Sequence, residues 1–380
     1  MANQGLKFID LFSGCGGFST GLELAGHECL LGVDFNAAAI QSFSFNHPNA
    51  KTFCGPIQEL SKDALISLMG KKIVGNTHLG VDLIVGGPPC QGFSTVGAGK
   101  VDDNRNKLFL EFVRIVKLLN PNMIILENVT GLLALKNEPI LNEILKSFSK
   151  LGYQLAARIL SAQNFGAASF RRRTFLVGVK SGDPNLFFPQ PTHGLNCKND
   201  ILTVDESWAK LMKLSNGEMF NHEEEFSKIQ GIDLERLHYI PEGEGIRYQR
   251  DEEKWLPKKL HYKINWNKLP ENRFRQKKLQ RLHGHLPSPT IMTSNRTYIH
   301  PRKNRYLTVR EVAALQSFPA SFQFMGSKTE QYRQIGNAVP PAIAYAFGKR
   351  IRKMIKNESH AKLKTDVVSI EQLRSSAFLY

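Results

Sequence analysis

The segment Val81-Asp-Leu-Ile-Val-Gly-Gly-Pro-Pro-Cys-Gln-Gly-Phe-Ser94 places one thiol where it could react. An apolar run stops at two glycines, two prolines stiffen the exit, and Cys90 stands at the tip. Inert thiols sit on apolar faces, whereas nucleophilic ones need partial exposure and help toward the thiolate. Cys90 reads as the second kind, with a structural cysteine as the alternative. The glycine-rich polar run Ser94–Lys100 reads as a lid over it.

A second candidate is Glu127, in Met123-Ile-Ile-Leu-Glu-Asn-Val129. A carboxylate at the carboxyl end of an apolar strand faces the crevice in which open α/β sheets bind ligands. Partial desolvation there suits an acid that donates near neutral pH, although a salt-bridged or helix-capping Glu has the same sequence signature. Further on stand Arg171, Arg172 and Arg173. Alternate side chains of an extended segment point the same way, so Arg171 and Arg173 share a face. Two guanidiniums together could hold a phosphate or a carbonyl oxygen.

The third signal is Phe8-Ile-Asp-Leu-Phe12 followed by Ser13-Gly-Cys-Gly-Gly17. A buried strand running into glycines lets a backbone loop approach a ligand, and the helix behind it offers free N–H groups. Asp34, at the end of the next candidate strand, is placed to accept hydrogen bonds from a ribose diol, and its neighbour Phe35 could lie against an adenine ring. A structural tight turn explains the glycines equally well, and the spacing does not separate NAD from S-adenosylmethionine.

Bringing these groups to one crevice requires a parallel sheet, and the first 180 residues alternate accordingly. Candidate strands are Leu6–Phe12, Cys29–Asp34, Thr52–Cys54, Val81–Gly87, Asn122–Glu127, Leu155–Ala162 and Thr174–Lys180. Helical patterns separate them at Gly17–Ala25, Ala37–Asn46, Glu59–Met69, Lys107–Leu119 and Pro139–Leu151. This predicts an α/β fold, a mostly parallel sheet with helices on both faces. No helix separates the last two strands, which predicts an antiparallel ending and suits a class I methyltransferase better than a plain dinucleotide-binding fold. From about Gly182 the regularity fades into a second domain; helices return at Val309–Gln316 and Pro341–Met354, and the tail from Lys356 is polar enough to fray.

The 380 residues carry a formal charge of +16, with 42% hydrophobic and 22% charged residues. From Arg247 to Arg310 there are 17 Lys/Arg against 4 Asp/Glu, which places thirteen of the sixteen excess charges in one sixth of the chain. That is a footprint for a polyanion. The interleaved Tyr248, Trp255, Tyr262, Trp266, Phe274 and Tyr298 could meet bases or form the small domain's core. Five cysteines, odd in number and without a C-x-x-C pair, argue against a disulfide framework and a structural zinc site. Neither a membrane span nor a secretion signal is visible, so a cytoplasmic location is expected, associated with the nucleoid, or a nuclear one in a eukaryotic host.

Phe8–Gly17, Pro88-Pro-Cys-Gln91, Glu127-Asn-Val129, Asn164-Phe-Gly166 through Arg173, Arg310-Glu-Val-Ala-Ala-Leu-Gln-Ser-Phe-Pro319 and Gln334-Ile-Gly-Asn-Ala-Val-Pro-Pro341 occur in this order. The series resembles the ordered motifs of the DNA (cytosine-5) methyltransferases, from residue 8 to about 348. The resemblance implies a class I S-adenosylmethionine-dependent fold with a seven-stranded sheet. Residues 1–185 and 320–380 would form the catalytic, cofactor-binding domain, and 186–319 the smaller target-recognition domain and return segment. It implies Cys90 as the nucleophile on cytosine C6, Glu127 at N3, Arg173 at O2, and Arg171 in support. Phe12, Gly14, Cys15, Gly17, Asp34, Phe35, Ile57, Pro89, Leu108, Asn337, Ala338 and Val339 match cofactor-binding positions, and Ser94, Thr95 and Arg296 match DNA contacts. The implied cofactor is S-adenosylmethionine and the partner double-stranded DNA. A monomer is expected, without metal or membrane, in a restriction-modification setting.

Three departures stand out. The family's usual Gly-Asp-Ile is Gly55-Pro-Ile57 here, so a hydrogen bond to the adenine amino group must be missing or supplied elsewhere. The usual Pro-Gln before the arginines is Ala168-Ser169, and the ribose acid is Asp34 where many relatives carry Glu. Rival readings are a tRNA cytosine-5 methyltransferase of the same fold, a catalytically silent DNA-binding relative, and an NAD-dependent enzyme, which leaves Cys90 and Glu127 unexplained.

Overall fold

Seven short apolar runs pair into one sheet. They are β1 (Lys7–Leu11), β2 (Glu28–Asp34), β3 (Lys51–Cys54), β4 (Leu83–Gly86), β5 (Met123–Asn128), β6 (Gln154–Ser161) and β7 (Arg172–Val179). The structure is a computed structural model and describes residues 5–71, 80–89, 107–211, 213, 219–223, 228–294, 296–356 and 369–377. Each expected strand is found within two residues of its expected ends.

The strand order is β3-β2-β1-β4-β5-β7-β6. β1 to β5 pair in parallel, and β7 runs antiparallel to both β5 and β6. The short turn Ala162–Phe165, closed by Gly166 in the left-handed region, joins β6 toward β7 without a crossover helix. Such a connection can only return the chain antiparallel. Helix-covered central strands should be apolar on both faces, and every residue of β4 and β5 is buried, whereas edge strand β3 is not. This is the mostly parallel sheet with an antiparallel ending that the alternation predicts.

The order reverses between β1 and β4, and at such a switch point two loops leave neighbouring strand ends in opposite directions, opening a crevice. Leu11 pairs with Gly86 there, which sets the start of the glycine loop beside the run into Pro88 and Pro89. Gly86 is obligatory, because a β-carbon would stand 2.2 Å from the Leu11 carbonyl oxygen. The helix Pro341–Lys356 packs back on the helix Gly17–Leu24: a β-carbon at Gly21 would stand 2.3 Å from the Pro341 carbonyl oxygen, and the ring of His27 contacts the Gly348 carbonyl at 3.0 Å.

The expected fraying after Lys356 is corrected for residues 370–377. Ile370–Ala377 forms a helix whose Leu373 is fully buried in the main core. Ile370, Leu373 and Ala377 recur at helical spacing, a stripe hidden by the polarity of the segment as a whole. Among the described residues no helix is long and apolar enough to cross a membrane.

The chain divides by contacts into two compact units, one of residues 1–166, 171–199 and 338–380, the other of 167–170 and 200–337. Sequence reading places the divisions at 185/186 and 319/320. The second unit has its own core of Ile229, Leu237, Ile240, Ile246, Leu256, Leu260, Trp266, Leu279 and Ile299, against which Tyr262 and Phe274 pack. Those three aromatics are therefore core. The helix Lys328–Asn337 is polar and carries Gly336 in its last turn, which masks it in the sequence; the Met292 carbonyl approaches Gly336 too closely for any side chain.

Candidate active site

Beyond β1 the backbone turns through three left-handed residues, Phe12 (φ 59°), Gly14 (φ 55°) and Gly16 (φ 96°). Gly14 is surrounded by open space where a side chain would be. Its N–H donates to one Asp34 carboxylate oxygen at 2.9 Å, and the Asn36 N–H donates to the other at 2.9 Å. Burial nonetheless raises the Asp34 pKa above the usual carboxylate range, the N–H groups of Asn36, Gly14 and Phe35 opposing it. Phe35, next in sequence, is 74% exposed, a bare aromatic face beside the acid. Cys15 is fully buried, and burial raises its thiol pKa far from the reactive range. It serves by backbone and packing, not by sulfur chemistry.

The carboxyl ends of β4 and β5 form the neighbouring part. Gly87 lies against the Glu127 carboxylate, where a β-carbon would stand 3.1 Å from Oε2. Arg173 Nε lies 3.0 Å from Glu127 Oε1. The contact is ionic without hydrogen-bond alignment, so buried Oε1 has no hydrogen-bond partner among the described residues. Arg171 is fully buried. Desolvation first, then the Arg173 charge, lowers its pKa to about 9, while the Glu127 charge raises it. It therefore stays cationic at pH 7. Arg172 is exposed, as the alternation along an extended segment predicts.

Sequence reading gives Asn128 no role. Its amide donates to the Pro88 carbonyl at 3.2 Å, tying the end of β5 to the run that leads into Cys90. Only the Glu-Asn pairing hinted at this, since the contact spans 40 positions.

The other candidates fall as follows. Ile57 is buried in the turn after β3, its carbonyl accepting from Arg114 at 2.8 Å, and the Gly55 N–H donates to the Asp34 carbonyl at 3.0 Å. Gly17 begins the first helix, Pro89 closes the described run after β4, and Leu108 packs partly buried against the main core. Ala338 and Val339 are buried in the first unit; Asn337 ends its helix in the second. Arg296 is exposed in the second unit. Cys90, Ser94 and Thr95 lie outside the described residues. Ser169, at one of the departures, is buried and its hydroxyl donates to the Pro289 carbonyl at 3.2 Å.

The model of the C-5 cytosine-specific DNA methylase family matches residues 6–353. The chain belongs to this family. The methylase is 36% identical over 366 residues to the Type II methyltransferase M1.HphI of Haemophilus parahaemolyticus, covering 93% of this chain and 88% of that one. It is 30% identical over 414 residues to the Type II methyltransferase M.DdeI of Desulfomicrobium norvegicum, covering 98% and 94%. Among solved structures it is similar to a prophage-encoded E. coli protein classed as a DNA modification methyltransferase, with TM-score 0.67, 25% identity and coverage of 92% and 99%. The Entamoeba histolytica methyltransferase EhMeth, at TM-score 0.61 and 17% identity over 93% and 99%, shares the fold. The methylase is thus an enzyme, a cytosine-5 DNA methyltransferase.

Proposed function

We propose that this methylase transfers a methyl group from S-adenosylmethionine to C5 of a cytosine in a short duplex sequence, with Cys90 bonding transiently to C6. The observation that carries this reading is Glu127: a buried carboxylate at a strand end, beside two arginines, with one oxygen free of hydrogen bonds among the described residues. Asn128 holds the approach to Cys90 at the same strand end.

The residues beyond β1 and β2 fit the cofactor. Asp34 offers a fixed acceptor to a ribose diol, the open face at Gly14 leaves space beside the loop, and bare Phe35 offers an aromatic surface to an adenine. Phe12, Cys15, Gly17, Ile57, Pro89, Leu108, Asn337, Ala338 and Val339 complete the proposed site. When bound, the cofactor supplies an electrophilic methyl group.

Cytosine C5 is a poor nucleophile. Addition of the Cys90 thiolate to C6, with Glu127 donating a proton to N3, turns C5 into an enamine-like carbon that can accept a methyl group. Arg173 would hold the cytosine O2, and Arg171 would hold Glu127 in place by charge. Loss of the C5 proton to water, return of the N3 proton to Glu127 and expulsion of the Cys90 thiolate restore the aromatic ring. A stacked base offers no such approach, so the cytosine must leave the duplex, at a cost of about a few kcal/mol recovered from protein contacts. Residues 186–319, with Arg296 and most of the basic excess, would read the target sequence; Ser94 and Thr95 would contact DNA from the loop after Cys90. The Type II relatives support a restriction-modification role, and the enzyme would act as a monomer in the compartment that holds the DNA.

Incubated with duplex DNA and labelled S-adenosylmethionine, the protein is expected to form 5-methylcytosine, mapped to one short sequence by bisulfite sequencing. Cys90→Ala is expected to abolish transfer and leave DNA binding largely intact. Full activity in that variant overturns the mechanism.

A further inference from the structure

A buried histidine lies beneath the glycine loop, outside the groups assigned above. His47 caps the helix Ala37–Asn46, and its side chain is 1% exposed. Its Nδ1 lies 2.5 Å from Glu23 Oε2, and its Nε2 lies 3.4 Å from Thr20 Oγ1. The Thr20 hydroxyl in turn donates to the Gly16 carbonyl at 2.8 Å. The imidazole also packs against Gly16, where a β-carbon would stand 2.4 Å from Nε2. One turn earlier, the Phe43 ring packs on the imidazole at 4.5 Å between centroids and occupies the space that a side chain at Gly32 of β2 would need.

Of the three left-handed residues only Phe12 carries a steric penalty, since glycines adopt such angles freely, and a non-glycine there persists only when its surroundings over-determine the backbone. The imidazole constrains the far end of the turn, because it meets Gly16 directly and, through Thr20, its carbonyl. The Glu23 carboxylate fixes which way the ring faces. A loop held in its binding conformation before the ligand arrives spares the ordering cost on binding.

We propose that His47, oriented by Glu23, is a positioning residue for the cofactor loop: it seats Gly16 and thereby presets the backbone of residues 12–17 toward S-adenosylmethionine. The proposal rests on the reading of that loop as the cofactor site. The full-length variants His47→Ala, Glu23→Gln and Asp34→Ala are titrated with S-adenosylmethionine by calorimetry, with kcat at saturating cofactor and duplex DNA affinity measured in parallel. Loss of a buried, hydrogen-bonded support should raise Kd and KM for the cofactor about tenfold in His47→Ala, and by less in Glu23→Gln. The same comparison should leave kcat at saturating cofactor and DNA affinity within about twofold.

Unchanged cofactor affinity in His47→Ala overturns the proposal, as does an equal loss across cofactor binding, DNA binding and kcat, which is the mark of general destabilisation. Should His47→Ala fail to fold, Glu23→Gln alone carries the test, with the same two overturning results. Asp34→Ala separates the two readings. If it weakens cofactor binding while His47→Ala does not, only the positioning role fails; if Asp34→Ala also leaves affinity unchanged, the cofactor-site reading fails with it.

Discussion

Asp10 sits in the middle of β1, 1% exposed, with the Ser19 hydroxyl donating to it at 2.7 Å. Burial raises its pKa from 3.8 to about 7, against the opposing bond from Ser19. A carboxyl whose pKa is higher folded than unfolded binds its proton more tightly in the native state, so the contribution of Asp10 to stability is fullest below 3.8 and is lost as pH rises through about 7. Asp10→Asn keeps an acceptor for Ser19 and removes the titration. Urea unfolding at pH 5 and pH 7 should therefore show a smaller loss of stability with rising pH in the variant than in the parent; an equal loss would place Asp10 outside the pH response. Placements written in a residue's own type and neighbours, such as Glu127 closing an apolar strand, were legible in the sequence. Asn128 and His47 were not, because their roles come from contacts 40 and 24 positions away, which leave no local pattern.

The sheet was legible for the opposite reason: each strand carries its own periodic or wholly apolar signal, and β4 and β5 are apolar because both their faces are covered. Elements of the second unit lack that signal. Their loops are held by buried arginines, as when Arg310 donates to the carbonyls of Phe220 and Pro319 at 2.9 and 2.7 Å and to that of Phe322 at 2.5 Å, and a guanidinium serving carbonyls has no sequence period. The helix Ile370–Ala377 lies beyond the family match and packs into the core of the first unit. Arg374 donates to the Leu133 and Ala134 carbonyls at 3.0 and 3.4 Å and pairs with Glu138 at 2.7 Å, gripping the turns that follow Glu127 and Asn128. Deleting residues 369–380 removes these bonds and a fully buried Leu, so Tm should fall by about 5 °C or more. An unchanged Tm would mean that the helix contributes nothing to the fold.

For the molecule as a whole, the main electrostatic feature is the concentration of thirteen excess positive charges between Arg247 and Arg310. Several of these cations are internal supports: Arg281 serves the Leu237 and Ile240 carbonyls at 2.9 and 3.0 Å, and Arg310 is fully buried. Others, among them Lys258, Lys259, Lys268 and Arg296, are exposed, where a phosphate backbone could meet them. Binding through phosphates releases counterions, so duplex affinity should fall at least about tenfold between 50 and 200 mM salt, linearly in log–log form. A salt-independent affinity would assign the charge to the fold alone.

The covalent step is tested most directly with a duplex in which the target cytosine is replaced by 5-fluorocytosine. A fluorine at C5 cannot leave as a proton does, so once the methyl group has been transferred the Cys90 bond to C6 cannot be expelled. Incubated with that duplex and S-adenosylmethionine, the protein should form a denaturant-resistant complex whose mass equals protein plus duplex plus one methyl group, and digestion should map the link to Cys90. A protein that methylates ordinary duplex yet forms no such complex, or forms it equally well as Cys90→Ala, would contradict the account.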